Sequence, residues 1–177
     1  MDKLKLKLRK GTESSVENIS FWIDSASADV YGVPNGNIDT EVLIIGGGIA
    51  GLTTAYKLLK AGKKVVLVED GLIGSGETGR TTAHLCNAFD DRYYYLEDIF
   101  GKEKTKLIAI SHTEAIDEIE KIIVSLGIDC SFKRVSGYLF LHETDKEENL
   151  DREFIATQNV GLNTKILEAT PGIYGGK

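Results

Sequence analysis

The sequence predicts an α/β fold, and three observations within residues 41–69 support this class. Residues 41–45 form a short apolar run, rich in β-branched side chains, with the length of a buried parallel strand. Apolar residues then recur at helical spacing over residues 52–59, and Gly62 is placed to end that helix. A second apolar run covers residues 65–68. Strand, helix and strand in this order predict one Rossmann-like βαβ unit.

The turn between the first strand and the helix has the G-x-G-x-x-G spacing of a dinucleotide-binding motif, with Gly46, Gly48 and Gly51 at the three positions. Gly46 permits a tight turn, Gly48 leaves room for a diphosphate beside the backbone, and Gly51 lets the helix lie close to the sheet. Ile49 and Ala50 stand at the helix start, where N–H groups and the positive end of the helix dipole face an anion. These five residues are therefore predicted to bind a cofactor.

Glu69 closes the second strand and lies eighteen residues beyond Gly51. A carboxylate at this position accepts hydrogen bonds from the hydroxyls of an adenosine ribose, whereas the 2′-phosphate of NADP would meet like charge. The combination predicts an adenine dinucleotide but does not separate FAD from NAD. A glycine-rich turn without a ligand is the alternative.

The segment after Glu69 bears on the choice between FAD and NAD. It is rich in glycine and carries four polar side chains into a predicted helix start: Thr78, Arg80, Thr81 and Thr82. Its backbone N–H groups, hydroxyls and cation suit the ribityl chain and diphosphate of a flavin. A nicotinamide enzyme usually continues into another plain βα unit instead. The alternative is a mobile surface loop whose threonine caps the next helix.

Four segments are similar to one known family: residues 21–24 (FWID), 46–51 (GGGIAG), 65–69 (VVLVE) and 76–85 (GETGRTTAHL). On these segments the chain resembles the N-terminal portion of FAD-dependent oxidoreductases of the D-amino-acid oxidase and glycine oxidase family. It is most similar to the bacterial branch that often carries a C-terminal Rieske domain. The last segment is the most specific, because T-G-x-T-T-A-x-L is a hallmark of this family rather than of Rossmann folds in general.

The resemblance implies that FAD is the cofactor. It implies that Gly46, Gly48, Gly51 and Glu69 bind the AMP end of FAD. It places Thr78, Arg80, Thr81 and Thr82 toward the flavin. The chemistry implied is oxidation of a C–N bond of an amino acid or amine, with hydride transfer to the flavin. We name no catalytic residue, because this chemistry needs few protein acids or bases.

His84 lies at the end of the threonine-rich segment, in Thr-Thr-Ala-His-Leu. Some amine-oxidising relatives attach their flavin covalently to a histidine in this neighbourhood, but within a different pattern, His-Ala-Ala-Gly. We therefore expect His84 to be a polar helix residue near the cofactor and not a covalent attachment site.

The composition excludes several other classes of protein. A chain of 177 residues with 42% hydrophobic and 27% charged residues is globular. A net charge of −6 argues against nucleic acid as a partner, and the lack of any apolar stretch near ~18 residues argues against a membrane. Two cysteines and three histidines without ligand spacing predict no metal site and no Rieske cluster. Without a recognisable signal peptide, a reducing cytoplasm is the expected location.

The pattern along the chain divides it into four predicted parts. Residues 1–37 are an N-terminal extension that places Trp22 against the βαβ unit. Its basic start is expected to be a solvated tail, and the alternatives are an edge strand or an interfacial basic segment. Residues 38–88 contain the FAD-binding βαβ unit and the threonine-rich loop. A helical segment follows over residues 89–126, and residues 127–177 are the start of an antiparallel substrate domain.

Within the last two parts the periodicity predicts individual elements. A short helix beginning near Tyr93 ends at Gly101, and a long amphipathic helix ends at Gly127. Of the three consecutive tyrosines that begin at Tyr93, one is expected in the core and the others at the surface. The elements predicted beyond Gly127 are a hairpin of strands over 128–135 and 138–142, a charged helix over 145–158 and the start of a strand over 164–167.

The enzymes of this family run to several hundred residues, and much of their cofactor domain and substrate pocket lies downstream of the portion that the chain resembles. We therefore expect a partial enzyme. Its expected partners are a small amine or amino acid as substrate, and either the remainder of the enzyme or further copies of the chain. Alone it is expected to be a poor oxidase. The alternatives are a non-catalytic nucleotide-binding module, one half of a split flavoenzyme, or an NAD-binding dehydrogenase domain.

Overall fold

The computed structural model describes residues 19–26 and 31–168 of the chain. The predicted solvated tail at the N-terminus lies outside these residues. The chain divides into two compact units, residues 1–83 and residues 84–177, which are described separately. Within the described residues, no helix is both long enough and apolar enough to cross a membrane.

The first unit contains the predicted βαβ arrangement. Its elements in chain order are helix α1 (Phe21–Ser25), strand β1 (Val42–Ile45), helix α2 (Ile49–Lys60), strand β2 (Val65–Val68) and a 3-10 turn (Glu77–Arg80). The two strands are parallel and in register, from Val42 opposite Val65 to Ile45 opposite Val68. The mixed α/β class predicted from the sequence is thus confirmed.

Helix α2 begins and ends where the glycines allow it. Gly48 is its N-cap, and Ala61 and Gly62 end it, with Gly62 at a φ of 77°, a conformation that favours glycine. Two lysines in its last turn, Lys57 and Lys60, complement the negative end of the helix dipole.

One face of the small sheet is covered and the other is not. Ile44 lies on the side of α2, since its side chain is 3.4 Å from the position of a Cβ atom on Gly51. Side chains alternate along a strand, so Leu43 and Ile45 lie on the opposite face. They are 56% and 83% exposed. The sheet therefore presents an apolar face to solvent.

The predicted burial of Trp22 against the βαβ unit is wrong. Trp22 is 41% exposed and packs edge-to-face on Phe21, with ring centroids 5.1 Å apart. Ile23 is the residue of α1 that faces inward, because it lies within contact distance of Gly79 in the 3-10 turn. In a helix of five residues only one side chain points at a given neighbour, and here that side chain is Ile23.

The second unit is helical. Its helices are α3 (Tyr93–Phe100), α4 (Lys102–Leu126) and α5 (Glu147–Asn159). Gly101, with a φ of 77°, ends α3 and begins α4, and Gly127, with a φ of 61°, ends α4. These glycines are the ones that the sequence predicts as helix ends. The charged helix predicted over 145–158 is also present, shifted by one or two residues.

The core of the second unit lies where α3 meets α4 and α5. Its buried members are Tyr93, Leu96, Ala109, Ala156 and Val160. Tyr93 is buried, Tyr94 is half-buried and Tyr95 is exposed, as expected for consecutive residues on a helix.

Polar contacts also join α3 to α5. The buried carboxylate of Glu153 accepts a hydrogen bond from the Tyr94 N–H at 3.1 Å, so it satisfies one of the free amides at the start of α3. At the same end, Arg92 Nη2 lies 2.6 Å from Asp145 Oδ2. Asn149 and Lys146 donate to the other oxygen of Asp145, and these bonds, with the Arg92 charge, lower the pKa of that carboxyl.

The hairpin predicted over residues 128–142 is not formed, because the structure has no strand in this range. Residues 128–142 do not pair as strands. Arg134 joins this segment to α4, since its Nη2 lies 2.6 Å from Asp117 Oδ1 and 2.7 Å from Glu120 Oε2. Two strands without a third strand or a covering helix are marginal in water, and most apolar side chains here are exposed. The predicted strand over 164–167 is absent as well.

Candidate nucleotide-binding site

The turn after β1 remains attached to the sheet as it leaves the strand. The Gly46 N–H donates to Val68 O at 2.8 Å, and Gly46 has a φ of 106°, which a residue with a side chain rarely adopts. A Cβ atom on Gly51 would lie 1.9 Å from Gly46 O. The helix therefore starts in direct contact with the turn, and only glycine fits at its third position.

Gly47, at the centre of the turn, is held through both of its polar backbone atoms. Its N–H donates to Glu69 Oε2, and its carbonyl oxygen accepts from the Gly74 N–H at 3.0 Å. Gly47 is buried, so these two bonds satisfy groups that water does not reach. The turn and the glycine-rich loop after β2 thus form one folded structure.

The second oxygen of the Glu69 carboxylate, Oε1, accepts a hydrogen bond from the Gly71 N–H at 3.1 Å. The bonds from Gly47 and Gly71 hold the pKa of Glu69 below its ordinary value. The group is therefore ionised at neutral pH. Each oxygen retains a second lone pair, so the carboxylate can still accept hydrogen bonds from ribose hydroxyls.

The N-terminus of α2 has a polar neighbour that the sequence does not place there. Its first turn carries no acidic side chain, and the Gly48 cap supplies no side-chain hydrogen bond. The Thr78 hydroxyl takes that role, because Thr78 Oγ1 accepts from the Ile49 N–H at 3.0 Å. The same oxygen lies 3.1 Å from the position of a Cβ on Gly48. Thr78 is thus at the helix end that would face a diphosphate.

The other predicted residues of the threonine-rich loop stabilise the loop itself. Arg80 Nη1 donates to Ser75 O at 3.0 Å, and Thr81 Oγ1 donates to Thr78 O at 3.3 Å. Thr82 is exposed, and neither Thr82 nor His84 lies in a helix, because the next helix begins at Tyr93. The predicted helix start in this segment and the expected helical position of His84 are therefore wrong. A contact between the flavin and Arg80, Thr81, Thr82 or His84 stays a prediction.

The structure adds residues that the sequence reasoning missed. Gly47, Gly71 and Gly74 fix the turn through backbone bonds, and Gly79 is buried where a Cβ would lie 2.6 Å from Gly74 O and 2.8 Å from Ile23 Cγ1. The available signal was the density of glycines in residues 71–79. Backbone bonds of this kind leave no other mark in a sequence.

These residues fit an adenine dinucleotide. Ile49, Ala50 and Gly51 precede the first full helical bond, from Leu52 N to Gly48 O at 3.0 Å. The Ile49 N–H donates to the Thr78 hydroxyl, and the amides of Ala50 and Gly51 are available to an anion. The absence of a side chain at Gly48 leaves a space bounded by the Thr78 hydroxyl, and an ionised carboxylate closes the adjacent strand. The arrangement defines a nucleotide-binding βαβ unit of the Rossmann type.

Comparison with known proteins identifies the family. Residues 41–175 match the family model described as FAD dependent oxidoreductase, and the chain belongs to this family. The predicted resemblance to the D-amino-acid oxidase and glycine oxidase branch is confirmed, and the family cofactor is FAD.

The chain is similar to several curated proteins that are longer than it. A Bacillus subtilis protein named as a Rieske 2Fe-2S iron–sulfur protein is 32% identical over 89% of this chain and 31% of its own length. A protein of Haemophilus influenzae named as an oxidoreductase is 29% identical, over 84% of this chain and 35% of its own. Gamma-glutamylputrescine oxidoreductase of Escherichia coli is 31% identical, over 70% and 29%. The chain thus spans about a third of the length of these relatives. No solved structure matches it significantly.

The similarity to a Rieske-named protein raises the question of a metal site in this chain. Among residues 19–26 and 31–168, no cluster of three or more histidine, cysteine or acidic side chains is suited to hold a metal ion. The two cysteines, Cys86 and Cys130, are both exposed and free.

Proposed function

We propose that the chain forms the AMP- and diphosphate-binding part of an FAD-dependent oxidoreductase that oxidises a C–N bond of a small amine or amino acid. The observation that supports this best is the turn from Gly46 to Gly51, closed on one side by the Glu69 carboxylate and on the other by the Thr78 hydroxyl.

Each residue of this site has a role that follows from its chemistry. The amides of Ala50 and Gly51 would donate to the diphosphate, assisted by the positive end of the α2 dipole, while the Ile49 N–H donates to Thr78. Thr78 accepts from Ile49 N–H and keeps its own hydroxyl proton to donate to a phosphate oxygen. Glu69 would accept from the ribose hydroxyls. When bound, FAD supplies the hydride acceptor of the reaction.

The proposed substrate class rests on the family and its relatives. The name of the Escherichia coli relative refers to an amine derivative, gamma-glutamylputrescine. The substrate-binding residues would come mainly from the portion of such proteins that this chain does not span. Accordingly, we propose that residues 38–88 form the cofactor unit, that residues 127–177 contribute to a substrate domain, and that the rest of the enzyme or a second copy completes the pocket.

Cofactor binding is the first test. Purified protein is titrated with FAD, ADP and NAD by calorimetry, and the visible spectrum of the FAD mixture is recorded. FAD and ADP are expected to bind, with FAD tighter than NAD. Wild-type protein that binds neither FAD nor ADP would refute the proposal.

Thr78→Val tests the diphosphate end of the site, because it keeps the side-chain shape but removes the hydroxyl beside the Ile49 N–H. The variant is expected to weaken ADP binding about fivefold. Thr54→Val is the matched control, since the Thr54 hydroxyl donates to Ala50 O on an exposed part of the same helix. ADP should bind to that control as it binds to the wild type.

A further inference from the structure

Glu69 is placed by family resemblance at the ribose, yet its two strongest contacts in this structure are to backbone amides. We propose that Glu69 is also a positioning residue: its carboxylate holds the diphosphate-binding turn in shape before any nucleotide binds. This second role rests on the proposed function of the same site. It acts in the protein before a nucleotide binds.

Gly47 needs a hydrogen-bond partner for its amide. Its amide is buried in the centre of the turn, and a buried N–H without a partner is costly. The Glu69 carboxylate supplies that partner. No side chain of the turn itself could do so, because residues 46, 47 and 48 are all glycine.

Glu69 joins two separate segments of the chain. Through Oε2 it holds the turn at Gly47, and through Oε1 it holds the start of the following loop at Gly71. That loop returns to the turn through Gly74 N–H and ends with Thr78 at the helix start. Removing the carboxylate would release the turn and loosen the loop that caps α2.

The turn at residues 46–48 consists of three consecutive glycines. Three consecutive glycines have more accessible backbone conformations than any other tripeptide, so a turn made of them is costly to order. If the turn were ordered only on binding, the nucleotide would bear that cost and its affinity would fall. A charge-assisted bond to the central amide orders the turn in advance.

A ligand without ribose hydroxyls separates the two roles. 2′,3′-Dideoxyadenosine 5′-diphosphate retains the adenine and the diphosphate of ADP but lacks the groups that Glu69 would bind directly. A residue that acts only on the ribose has no influence on the affinity for this ligand. A residue that positions the turn affects both ligands.

Glu69→Gln is the test variant, because it keeps the size of the side chain but removes the charge and replaces one of the two acceptor oxygens, Oε1 or Oε2, by an NH2 group that cannot accept from a backbone N–H. Glu41→Gln is the matched control. Glu41 also accepts from a backbone N–H, that of Lys64 at 2.8 Å, but at the opposite end of the two strands.

Calorimetry is performed with ADP and with the dideoxy ligand on wild type and both variants. Glu69→Gln is expected to weaken the dideoxy ligand about fivefold and ADP by a larger factor, while Glu41→Gln changes neither. A general loss of folded protein would lower the binding stoichiometry rather than the affinity. If Glu69→Gln weakens ADP alone, the positioning role is refuted and the proposed nucleotide site stands.

Hydrogen exchange of the Gly47 amide, measured by NMR without ligand, tests the bond from Gly47 to Glu69 independently of nucleotide binding. Exchange is expected to become at least severalfold faster in Glu69→Gln and to stay unchanged in Glu41→Gln. Unchanged exchange in both variants overturns the inference, whether or not nucleotides bind. Absence of ADP binding by wild type would refute the proposed function. The exchange rate of the Gly47 amide would then be the remaining test of the bond between Glu69 and Gly47.

Discussion

Gly48 and Gly51 belong to one motif but are required for different physical reasons. A Cβ on Gly51 would lie 1.9 Å from the Gly46 carbonyl oxygen, whereas a Cβ on Gly48 would meet only the Thr78 hydroxyl at 3.1 Å. Gly51 is thus required by the fold, and Gly48 by the space that a ligand would use.

Alanine at these two positions should therefore separate folding from binding. Gly51→Ala is expected to lower the free energy of unfolding by about 2 kcal/mol or more, because backbone must move. Gly48→Ala is expected to cost less than about 1 kcal/mol, since its φ of −79° suits alanine, but to abolish ADP binding. Urea unfolding and calorimetry measure the two effects. Equal stability losses in both variants would contradict this division.

Tyr93 makes the stability of the second unit depend on pH in the alkaline range. Burial raises the pKa of Tyr93 to about 12, with further contributions from the negative charges of Glu153 and Cys86. Its hydroxyl donates to Asn87 O. The folded state therefore keeps the phenol proton that an unfolded chain releases near pH 10.

Stability should fall as the pH rises through this interval. Because the folded pKa is above the unfolded one, the contribution is complete below about pH 10 and is lost toward pH 12, in total about 2–3 kcal/mol. Urea unfolding between pH 8 and 12 should show this fall in wild type and a shallower one in Tyr93→Phe. Tyr95→Phe, at an exposed position of the same helix, is the control and should behave like wild type. Parallel pH curves for wild type and Tyr93→Phe would contradict this assignment.

At the scale of elements, α3 depends on α5 for its cap. Arg92, the N-cap residue of α3, supplies no side-chain hydrogen bond to the helix, and the acceptor for Tyr94 N–H is Glu153 on α5. Glu153→Ala should destabilise the protein by about 2 kcal/mol, because the half-buried Tyr94 amide loses a charged partner. Glu153→Gln keeps an acceptor and should recover part of the loss. Thermal and urea unfolding provide the measurement.

Asp151→Ala is the control for this prediction, since Asp151 is an exposed residue of the same helix. A change within about 0.5 kcal/mol is expected there. If Glu153→Ala were no more destabilising than Asp151→Ala, the cap would have no energetic role.

The elements that the sequence predicts correctly are those with local signals. Strand β1, helix α2 and strand β2 follow from apolar runs and periodicity, and α3 and α4 end at the glycines that the pattern indicates. The hairpin over residues 128–142 was wrong because strands depend on partners outside their own sequence, and those partners are absent in the described residues. Trp22 was misplaced for a similar reason, since α1 is too short for periodicity to fix its inward face.

The candidate site was predictable to the extent that it depends on residue type. The glycine spacing, Glu69 and the threonine-rich loop are visible in the sequence. The bond from Thr78 to Ile49 and the two bonds that hold Gly47 are not visible, because they depend on how residues 70–78 fold back in three dimensions.

At the scale of the whole molecule, much apolar surface is exposed within each unit. In the first unit Leu43 and Ile45 lie on an uncovered sheet face, although parallel sheets are normally covered on both faces. In the second unit the segment over 135–141 presents a run of exposed apolar side chains. Patches of this kind mark surfaces that associate with other protein.

Concentration-dependent association is therefore expected in sedimentation velocity experiments. Ile45→Lys should reduce it without lowering the free energy of unfolding, because Ile45 is exposed. Val33→Lys, at a highly exposed apolar residue outside the strands, should change neither quantity. A large loss of stability in Ile45→Lys would show that this face is covered in solution.

The hydrogen bonds that fix the turn from Gly46 to Gly51 join residues that lie far apart in the sequence, and this has a consequence for synthesis. Gly47 is paired with a side chain 22 residues later, and Ile49 with one 29 residues later. Strand β1 and helix α2 leave the ribosome before either partner emerges, and their turn lacks its fixing contacts until Thr78 has emerged. The turn from Gly46 to Gly51 lies between β1 and α2, yet its contacts are complete only when the last residues of the first unit have emerged.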